Sequence, residues 1–175
     1  MTCNLPIKTI TEEKEIGMYK KIMVPLDGSD LAECVLPHLE AIARGCQIAS
    51  IVFIRVVDPG LPPANFPVGD EFGLYKTDWE QLRKHREKEA EDYLKKLESR
   101  LNYSWVQVHT TVVAGKVAET LADYATHNDV DLILIASHGR SGISRWVMGS
   151  VADRLLRSAC VPVLMIRAPG CVPGI

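Results

Sequence analysis

The sequence predicts an α/β fold built around a parallel sheet of five strands. Short apolar runs rich in Val and Ile recur along the chain and are typical of strands that are buried on both faces. Segments with apolar residues at helical spacing separate those runs. No segment repeats another, and strands that alternate with helices indicate a parallel sheet rather than a hairpin architecture.

The first strand is predicted at residues 21–26, an apolar run that ends at an Asp-Gly-Ser turn. Ser29 is expected to cap the helix that follows, because its hydroxyl can accept a hydrogen bond from an N–H of the first turn. Pro37 lies inside this helix and should kink it, since proline removes one backbone donor. Gly45 is expected to end the helix.

The second strand is predicted at residues 48–57, where β-branched residues are frequent. A long loop follows at 58–76, which contains four prolines and three glycines. Loops of that length in compact domains are typically functional lids or disordered excursions. A long amphipathic helix is then predicted at residues 77–101, and its many Lys, Arg and Glu residues are expected to face solvent.

The second half of the chain continues the alternation of strand and helix. Strands are predicted at residues 105–113, 131–136 and 161–166, and a helix is predicted at 116–127. With 175 residues the chain is expected to form one domain, because little length remains for a second hydrophobic core.

Composition excludes several classes of function. The net charge of −2 offers no basic face for nucleic acid. The longest apolar runs are too short to cross a bilayer, and the N-terminus does not resemble a secretion signal. Five cysteines without a C-x-x-C pair argue against a disulfide framework and a zinc site, so we expect reduced thiols in the cytoplasm.

The stretch from residue 136 to residue 150 is the predicted ligand site. It follows a buried strand, contains glycines at 139, 142 and 149, and precedes a helical pattern. The start of such a helix presents unpaired N–H groups and the positive end of the helix dipole, which favour phosphate. Ser150 is expected to cap this helix, with Asp153 completing a capping-box-like pattern.

Two motifs resemble those of the universal stress protein family. The sequence Val-Pro-Leu-Asp-Gly-Ser at 24–29 follows the first strand, and Ser-His-Gly-x9-Gly-Ser at 137–150 follows the fourth. The resemblance extends from about residue 19 to residue 167. The family's nucleotide-binding branch carries Gly-x2-Gly-x9-Gly-Ser/Thr, of which Gly139, Gly149 and Ser150 are present here. Ala136 replaces the first glycine, a change that adds one methyl group.

The resemblance implies an open, Rossmann-like sheet of strand order 3-2-1-4-5 with helices on both faces. In such a sheet a ligand crevice lies beyond the carboxyl ends of strands 1 and 4, where the order reverses. The implied domain covers residues 19–168, between an N-terminal tail at 1–18 and a C-terminal tail at 169–175.

The implied ligand is ATP or another adenine nucleotide, with Mg²⁺ as an additional candidate. Asp27 is the residue that could assist this ion, because Mg²⁺ favours carboxylate and phosphate oxygens. By resemblance, Pro25, Leu26, Asp27 and Val56 would line the adenine and ribose. Ala136 stands at the first glycine of the motif, and the phosphates would lie against Gly139, Arg140, Gly149, Ser150 and Val151.

Three classes of function follow. The first is a stress-response sensor or regulator that acts through bound nucleotide, and the sequence favours it. The second is an enzyme that uses ATP, but the sequence shows no nucleophile with a neighbouring base, so hydrolysis would at most be a slow side reaction. The third is a nucleotide-free dimeric interaction module, which the retained Gly139, Gly149 and Ser150 argue against.

The last strand, Val161–Ile166, is apolar on both faces and lies at an edge of the implied sheet. An exposed apolar edge favours pairing with another chain. Pro162 lacks an N–H and suits the start of an edge strand. In the family these strands pair antiparallel about a two-fold axis, so the resemblance implies a homodimer.

Overall fold

The computed structural model describes residues 18–58, 73–101, 103–137 and 149–167, and the side chains of its long third helix from residue 80 onward. Four predicted features therefore lie outside the described residues, wholly or in part. They are the N-terminal tail up to residue 17, the loop at 59–72, the glycine-bearing loop at 138–148 and the C-terminal tail.

In these ranges the chain forms strands and helices that alternate from β1 to β5. The elements are β1 (Lys21–Pro25), α1 (Asp30–Glu33), α2 (Leu36–Gly45), β2 (Ser50–Val57), α3 (Gly73–Arg100), β3 (Gln107–Ala114), α4 (Val117–His127), β4 (Leu132–Ala136), α5 (Ser150–Ser158) and β5 (Val163–Ile166).

The strands form one parallel sheet of order β3-β2-β1-β4-β5, which confirms the predicted fold. The chain leaves β1 toward β2 and β3, and later returns on the other side of β1 with β4 and β5. The order of the strands thus reverses between β1 and β4. A crevice is expected beyond the carboxyl ends of these two neighbours.

Helices cover both faces of the sheet, as predicted. Successive residues of a strand point to opposite faces, so Ile22 and Val24 join a core with α1, α2 and α3. Met23 lies between them and joins a second core with α4 and α5. All three side chains are fully buried. The near-continuous apolar runs of the strands follow from this double burial.

Pro37 divides the first predicted helix in two instead of kinking it. The short helix α1 ends at Glu33, and α2 begins at Leu36 with Pro37 in its first turn. In that turn the N–H groups have no intrahelical acceptor, so the missing donor of proline costs nothing. Helix α2 ends at Gly45 as predicted, and Gln47 just beyond it adopts a positive φ of 52°.

Several strands are shorter at their N-terminal ends than the apolar pattern predicts. Strand β2 begins at residue 50 rather than 48, although Ile48 is buried. The N–H of Ile48 donates instead to the Ala43 carbonyl at the end of α2. Strand β5 begins after Pro162, which cannot donate to a ladder. The apolar pattern reports burial, and burial extends beyond the hydrogen-bonded ladder.

Helix α3 starts four residues earlier than predicted, at Gly73, so the predicted loop is shorter at its C-terminal end. Its described charged side chains are mostly exposed, as expected, and several form i,i+4 pairs such as Arg83–Glu87 and Lys95–Glu91. Leu94 and Leu97 pack on the sheet. None of the described helices has the length and apolar composition that a membrane span requires.

Gly115 joins β3 to α4 and should not tolerate a side chain. Its φ is 154°, and a β-carbon there would collide with the Thr120 hydroxyl oxygen. We expect Gly115→Ala to lower the free energy of unfolding by about 1–3 kcal/mol, the cost of such backbone strain. Gly45→Ala is the matched control, because a β-carbon there meets nothing within 4 Å and alanine favours helix. Urea denaturation measures both, and equal effects would contradict the assignment.

Candidate functional site

A cavity of about 310 Å³ lies beyond the carboxyl ends of β1 and β4, at the reversal of strand order. Its wall is mostly apolar and combines residues from both halves of the sheet. The described lining residues are Pro25, Leu26, Asp27, Ala32, Ile54, Val56, Val117, Leu121, Ile135, Ala136, Ser137, Gly149, Ser150, Val151 and Ala152.

Most of the predicted site residues meet at this cavity. Pro25, Leu26, Asp27, Val56, Ala136, Gly149, Ser150 and Val151 line it. Gly139 and Arg140 lie outside the described residues.

The structure adds lining residues that the motifs did not indicate. Ala32, Val117 and Leu121 reach the cavity from helices, and Ile54 and Ile135 reach it from strands. In the sequence their apolar character signals only a core position, so sequence reasoning had no means to find them.

The N-terminus of α5 is not capped as predicted. Ser150 is the first helical residue, and Gly149 is the N-cap, which has no side chain to offer. The Asp153 N–H donates to the Gly149 carbonyl, and the Asp153 carboxylate pairs with Arg157 at 3.1 Å instead of turning back to the cap. The predicted capping box of Ser150 and Asp153 is therefore wrong, because the N-cap lies one residue earlier, at Gly149.

The uncapped start of α5 leaves donors at the cavity wall. The N–H groups of Ser150, Val151 and Ala152 belong to the first turn, where no intrahelical acceptor exists. No described residue accepts from them, and all three residues line the cavity. With the helix dipole, worth about half a positive charge at this end, they make the wall attractive to an anion.

Hydrogen bonds hold this helix start against the sheet. The Gly149 N–H donates to the Ser137 carbonyl at 2.9 Å, and the Ser137 N–H donates to the Ile166 carbonyl at 2.7 Å. Ser137 follows β4 directly and is only 4% exposed. The first turn of α5 is thus tied through Ser137 to the edge strand β5.

Asp27 shapes the turn that follows β1. Its Oδ1 accepts from the Ser29 N–H at 2.9 Å and from the Ser29 hydroxyl at 2.6 Å. The same hydroxyl accepts from the Ala32 N–H and caps α1, as predicted. Gly28 between them adopts a φ of 88°, which favours glycine. Asp27 therefore has a structural role in this turn and also lines the cavity.

Val56 presents main-chain polar groups to the crevice. In β2, Ile54 bonds toward β1, since its carbonyl accepts from the Leu26 N–H, and Val57 bonds toward β3. Val56 follows Ile54 by two residues, and residues two apart in a strand direct their main-chain groups to the same side. The N–H and C=O of Val56 therefore point toward the β1 side. The β1 ladder has already ended at Pro25 opposite Ile54. No described residue hydrogen-bonds either Val56 group, which leaves a donor and an acceptor side by side.

A polar cluster behind the cavity fixes α1 to α3. Glu33 Oε1 accepts from the Tyr93 hydroxyl at 2.9 Å, and Oε2 accepts from Arg100 at 2.6 Å. Burial and the Glu33 carboxylate raise the pKa of Tyr93, and the Asp27 carboxylate adds to the shift. The Arg55 guanidinium lies 5.3 Å from the centre of the Tyr93 ring, in the range of a cation–π contact.

Comparison with known proteins identifies the family. The model of the universal stress protein family matches residues 18–167 of the chain. The chain belongs to the universal stress protein family. Universal stress protein MJ0531 of Methanocaldococcus jannaschii is 31% identical over 153 residues, which cover 87% of this chain and 85% of that protein.

Solved universal stress proteins share the fold. The structure of MJ0577 from the same organism superposes with a TM-score of 0.72 at 25% identity, covering 87% of this chain and 99% of that chain. A universal stress protein in complex with cAMP gives 0.52 at 19% identity, covering 86% and 98%. The Arabidopsis thaliana protein with AMP bound gives 0.59 at 15% identity, covering 86% and 93%.

The Tyr93 cluster predicts a loss of stability at alkaline pH. A tyrosine whose folded-state pKa exceeds the unfolded value of about 10 stabilises the fold below that pH, and the contribution is lost as the pH rises above it. Burial also raises the pKa of Tyr103 and Tyr124, so part of the loss has other sources. We expect Tyr93→Phe to lose less stability than the wild type between pH 8 and pH 11.

Urea denaturation at the two pH values measures the effect. At pH 8 the variant should be less stable by about 1 kcal/mol, because the hydrogen bond to Glu33 is missing. An alkaline loss equal to that of the wild type would show that Tyr93 does not titrate as its surroundings imply.

Proposed function

We propose that this universal stress protein binds an adenine nucleotide, with ATP as the first candidate, in the cavity between β1 and β4. In its liganded state the protein would act as a stress-response regulator. The observation that carries the proposal is the uncapped N-terminus of α5, whose donors open into an apolar cavity of about 310 Å³. An anionic head and an apolar planar body are the chemistry that this combination accepts.

The phosphates would lie at α5. Ser150, Val151 and Ala152 offer N–H groups there, and Gly149 lacks a side chain that would obstruct their approach. Gly139 and Arg140 belong to the same proposal as further phosphate contacts. Mg²⁺ would enter with the phosphates, and Asp27 is the carboxylate that the described wall offers to it.

The base would lie at Val56. Its N–H can donate to N1 of adenine, and its carbonyl can accept from the 6-amino group. Guanine presents the opposite pattern on that edge, a donor at N1 and an acceptor at position 6. Strand β2 is two strand spacings from β4, about 10 Å, so a mononucleotide can reach from Val56 to α5. Pro25 and Leu26 would then flank the ribose and base.

Ala136 is compatible with this proposal. The residue is only 7% exposed and belongs to the core with α1, α2 and α3. Most of the methyl group that distinguishes it from glycine is therefore accommodated in the core. The related structures with cAMP and with AMP support an adenine nucleotide as the ligand class.

Replacement of Gly149 tests the phosphate site. Its φ of −53° and ψ of 134° suit a β-branched residue, so Gly149→Val should fold. The branched side chain would crowd the first turn of α5, and we expect ATP affinity to fall at least about tenfold, or 1.4 kcal/mol. Isothermal titration calorimetry measures it. Gly45→Ala, remote from the cavity, should bind as the wild type, and full affinity in a folded Gly149→Val would remove this loop from the site.

We further propose that the protein is a homodimer through its last strand, Val161–Ile166. Strand β5 is an edge of the sheet. Leu164 lies on the exposed face of this strand, and 39% of its surface is accessible to solvent. Val163 and Met165 point to the other face and pack on the core with α4 and α5. Antiparallel pairing of two such edges about a two-fold axis would bury the exposed apolar side and satisfy the open ladder.

A charge on this edge tests the dimer. Leu164→Glu should shift the protein to monomer with little loss of stability, because the side chain is already exposed. Met165→Glu should also destabilise the protomer, since Met165 packs on the core. Leu82→Glu is the matched control, because Leu82 is 40% exposed and lies on α3, which packs on β2 and β3 toward the other edge of the sheet. Light scattering after gel filtration measures the oligomeric state of each variant. A monomeric wild type, or a dimer that Leu164→Glu leaves intact, would contradict the proposal.

A further inference from the structure

We propose that Glu33 is a positioning residue of the nucleotide site. Its carboxylate accepts hydrogen bonds from Tyr93 and Arg100 and so connects α1 to α3. This link holds the α1 wall of the cavity in the place that the nucleotide needs. The inference rests on the function proposed above, and it names a contact outside the cavity on which the affinity of that site depends.

Helix α1 is too short to hold its own place. It has four residues, Asp30–Glu33, and isolated helices of fewer than about twelve residues are marginal in water. The segment that carries it is nevertheless part of the cavity wall, because Leu26, Asp27 and Ala32 line the cavity. The cap from Ser29 is local to the same segment, and burial of Ala32 in the core is non-directional. Glu33 supplies directional contacts between this segment and another helix.

The carboxylate of Glu33 uses both of its oxygens for this purpose. Oε1 accepts from the Tyr93 hydroxyl at 2.9 Å, and Oε2 accepts from the Arg100 guanidinium at 2.6 Å. The two donors are two turns apart on the same face of α3. The Glu33 side chain is only 18% exposed, and charge-assisted bonds that are shielded from water are stronger than those of exposed pairs.

The link joins the two halves of the sheet. Helix α3 packs on β2 and β3, where its Ala90, Leu94 and Leu97 are buried, and α1 packs on β4. Strand β1 lies between β2 and β4, and the cavity lies beyond its carboxyl end. The contacts of Glu33 therefore pass across the strand at which the cavity opens. Their loss would let α1 shift relative to β2, which carries the proposed partner of the base at Val56.

A change of affinity through this link has to be indirect. Glu33, Tyr93 and Arg100 are not among the described residues that line the cavity. Their charges can still act at a distance, but that effect has a sign of its own. Glu33→Gln removes a negative charge and would strengthen the binding of ATP by Coulomb attraction alone, Arg100→Gln would weaken it, and Tyr93→Phe would leave it unchanged. A positioning role predicts weaker binding in all three variants.

Isothermal titration calorimetry with ATP at neutral pH and 0.15 M salt, where the Debye length is about 8 Å, tests this pattern. Each of the three variants should bind ATP about two- to tenfold more weakly than the wild type. Glu40→Gln and Arg44→Gln are the matched controls, because they make the same changes of charge in an ion pair within α2. Both should keep the affinity of the wild type.

A double variant tests whether the residues act as one link. Glu33→Ala removes the acceptor of both bonds, so Tyr93→Phe should weaken binding little further when it is added to Glu33→Ala. Independent effects of the two substitutions would instead add, and they would overturn the link.

Amide hydrogen exchange supplies a second measurement. The N–H groups of Ala32 and Glu33 donate to the Ser29 carbonyl at 3.1 and 3.2 Å, so their exchange reports the opening of α1. They should exchange faster in Glu33→Gln than in the wild type, and bound ATP should slow them again.

Asp131→Ala is the control for stability. At the other end of β1 the Asp131 carboxylate accepts from the N–H groups of Lys20 and Lys21. The variant should destabilise the fold to a comparable extent without a change in affinity.

The outcomes separate the two proposals. Wild-type affinity in Glu33→Gln overturns the positioning role while nucleotide binding stands. Tighter binding by Glu33→Gln with weaker binding by Arg100→Gln also overturns it, since charge alone would then explain the results. Weaker binding without faster exchange in α1, or an equal loss of affinity in Asp131→Ala, does the same. Failure of the wild type to bind ATP overturns the proposed function, and the positioning role falls with it.

Discussion

The early end of β1 is the constraint on which the site depends. The ladder between β1 and β2 stops at Pro25, while β2 continues to Val57 and β4 to Ala136. The chain can leave β1 there because Asp27 and Ser29 close a turn with the positive φ of Gly28. β1 thus ends before both of its neighbours do, which opens a space between β2 and β4 and exposes main-chain groups of Val56 that a longer β1 would have paired.

Hydrogen bonds hold the helices on both sides of that space in place. On one side, Glu33 holds α1 against α3 through Tyr93 and Arg100. On the other, Ser137 holds the first turn of α5 against β4 and the edge strand. Preformed walls lower the entropic cost of binding, because little of the protein has to become ordered around a ligand. Neither set of contacts uses a group that the proposed ligand would need.

The sequence alone predicted the fold class, and most of the residues predicted for the site line one cavity; the structural details were predicted less well. Double burial of the strands leaves a clear apolar pattern, so all five were found. Strand order came from the family resemblance, because periodicity carries no information on neighbours. The cap of α5 was misplaced because Gly149 and Ser150 are both acceptable N-caps by type, and the hydrogen bond from the Gly149 N–H to the Ser137 carbonyl cannot be read from the sequence. The free main-chain groups of Val56 could not be predicted from the sequence. The side toward which a main-chain N–H points depends on which residues the strand pairs with.

The recognition proposed for this cavity would rely on main-chain groups, which every residue type except proline possesses in full. The donors of α5 and the pair at Val56 belong to the backbone, and their direction is set by a helix start and a strand end. Substitutions that keep those two elements would keep the hydrogen-bonding groups, whatever the side chain. Such a site can diverge widely in sequence among relatives and retain its ligand chemistry. Loss of binding would instead follow from changes that move the backbone or fill the space, so motif matching alone would underestimate how many family members keep a working cavity.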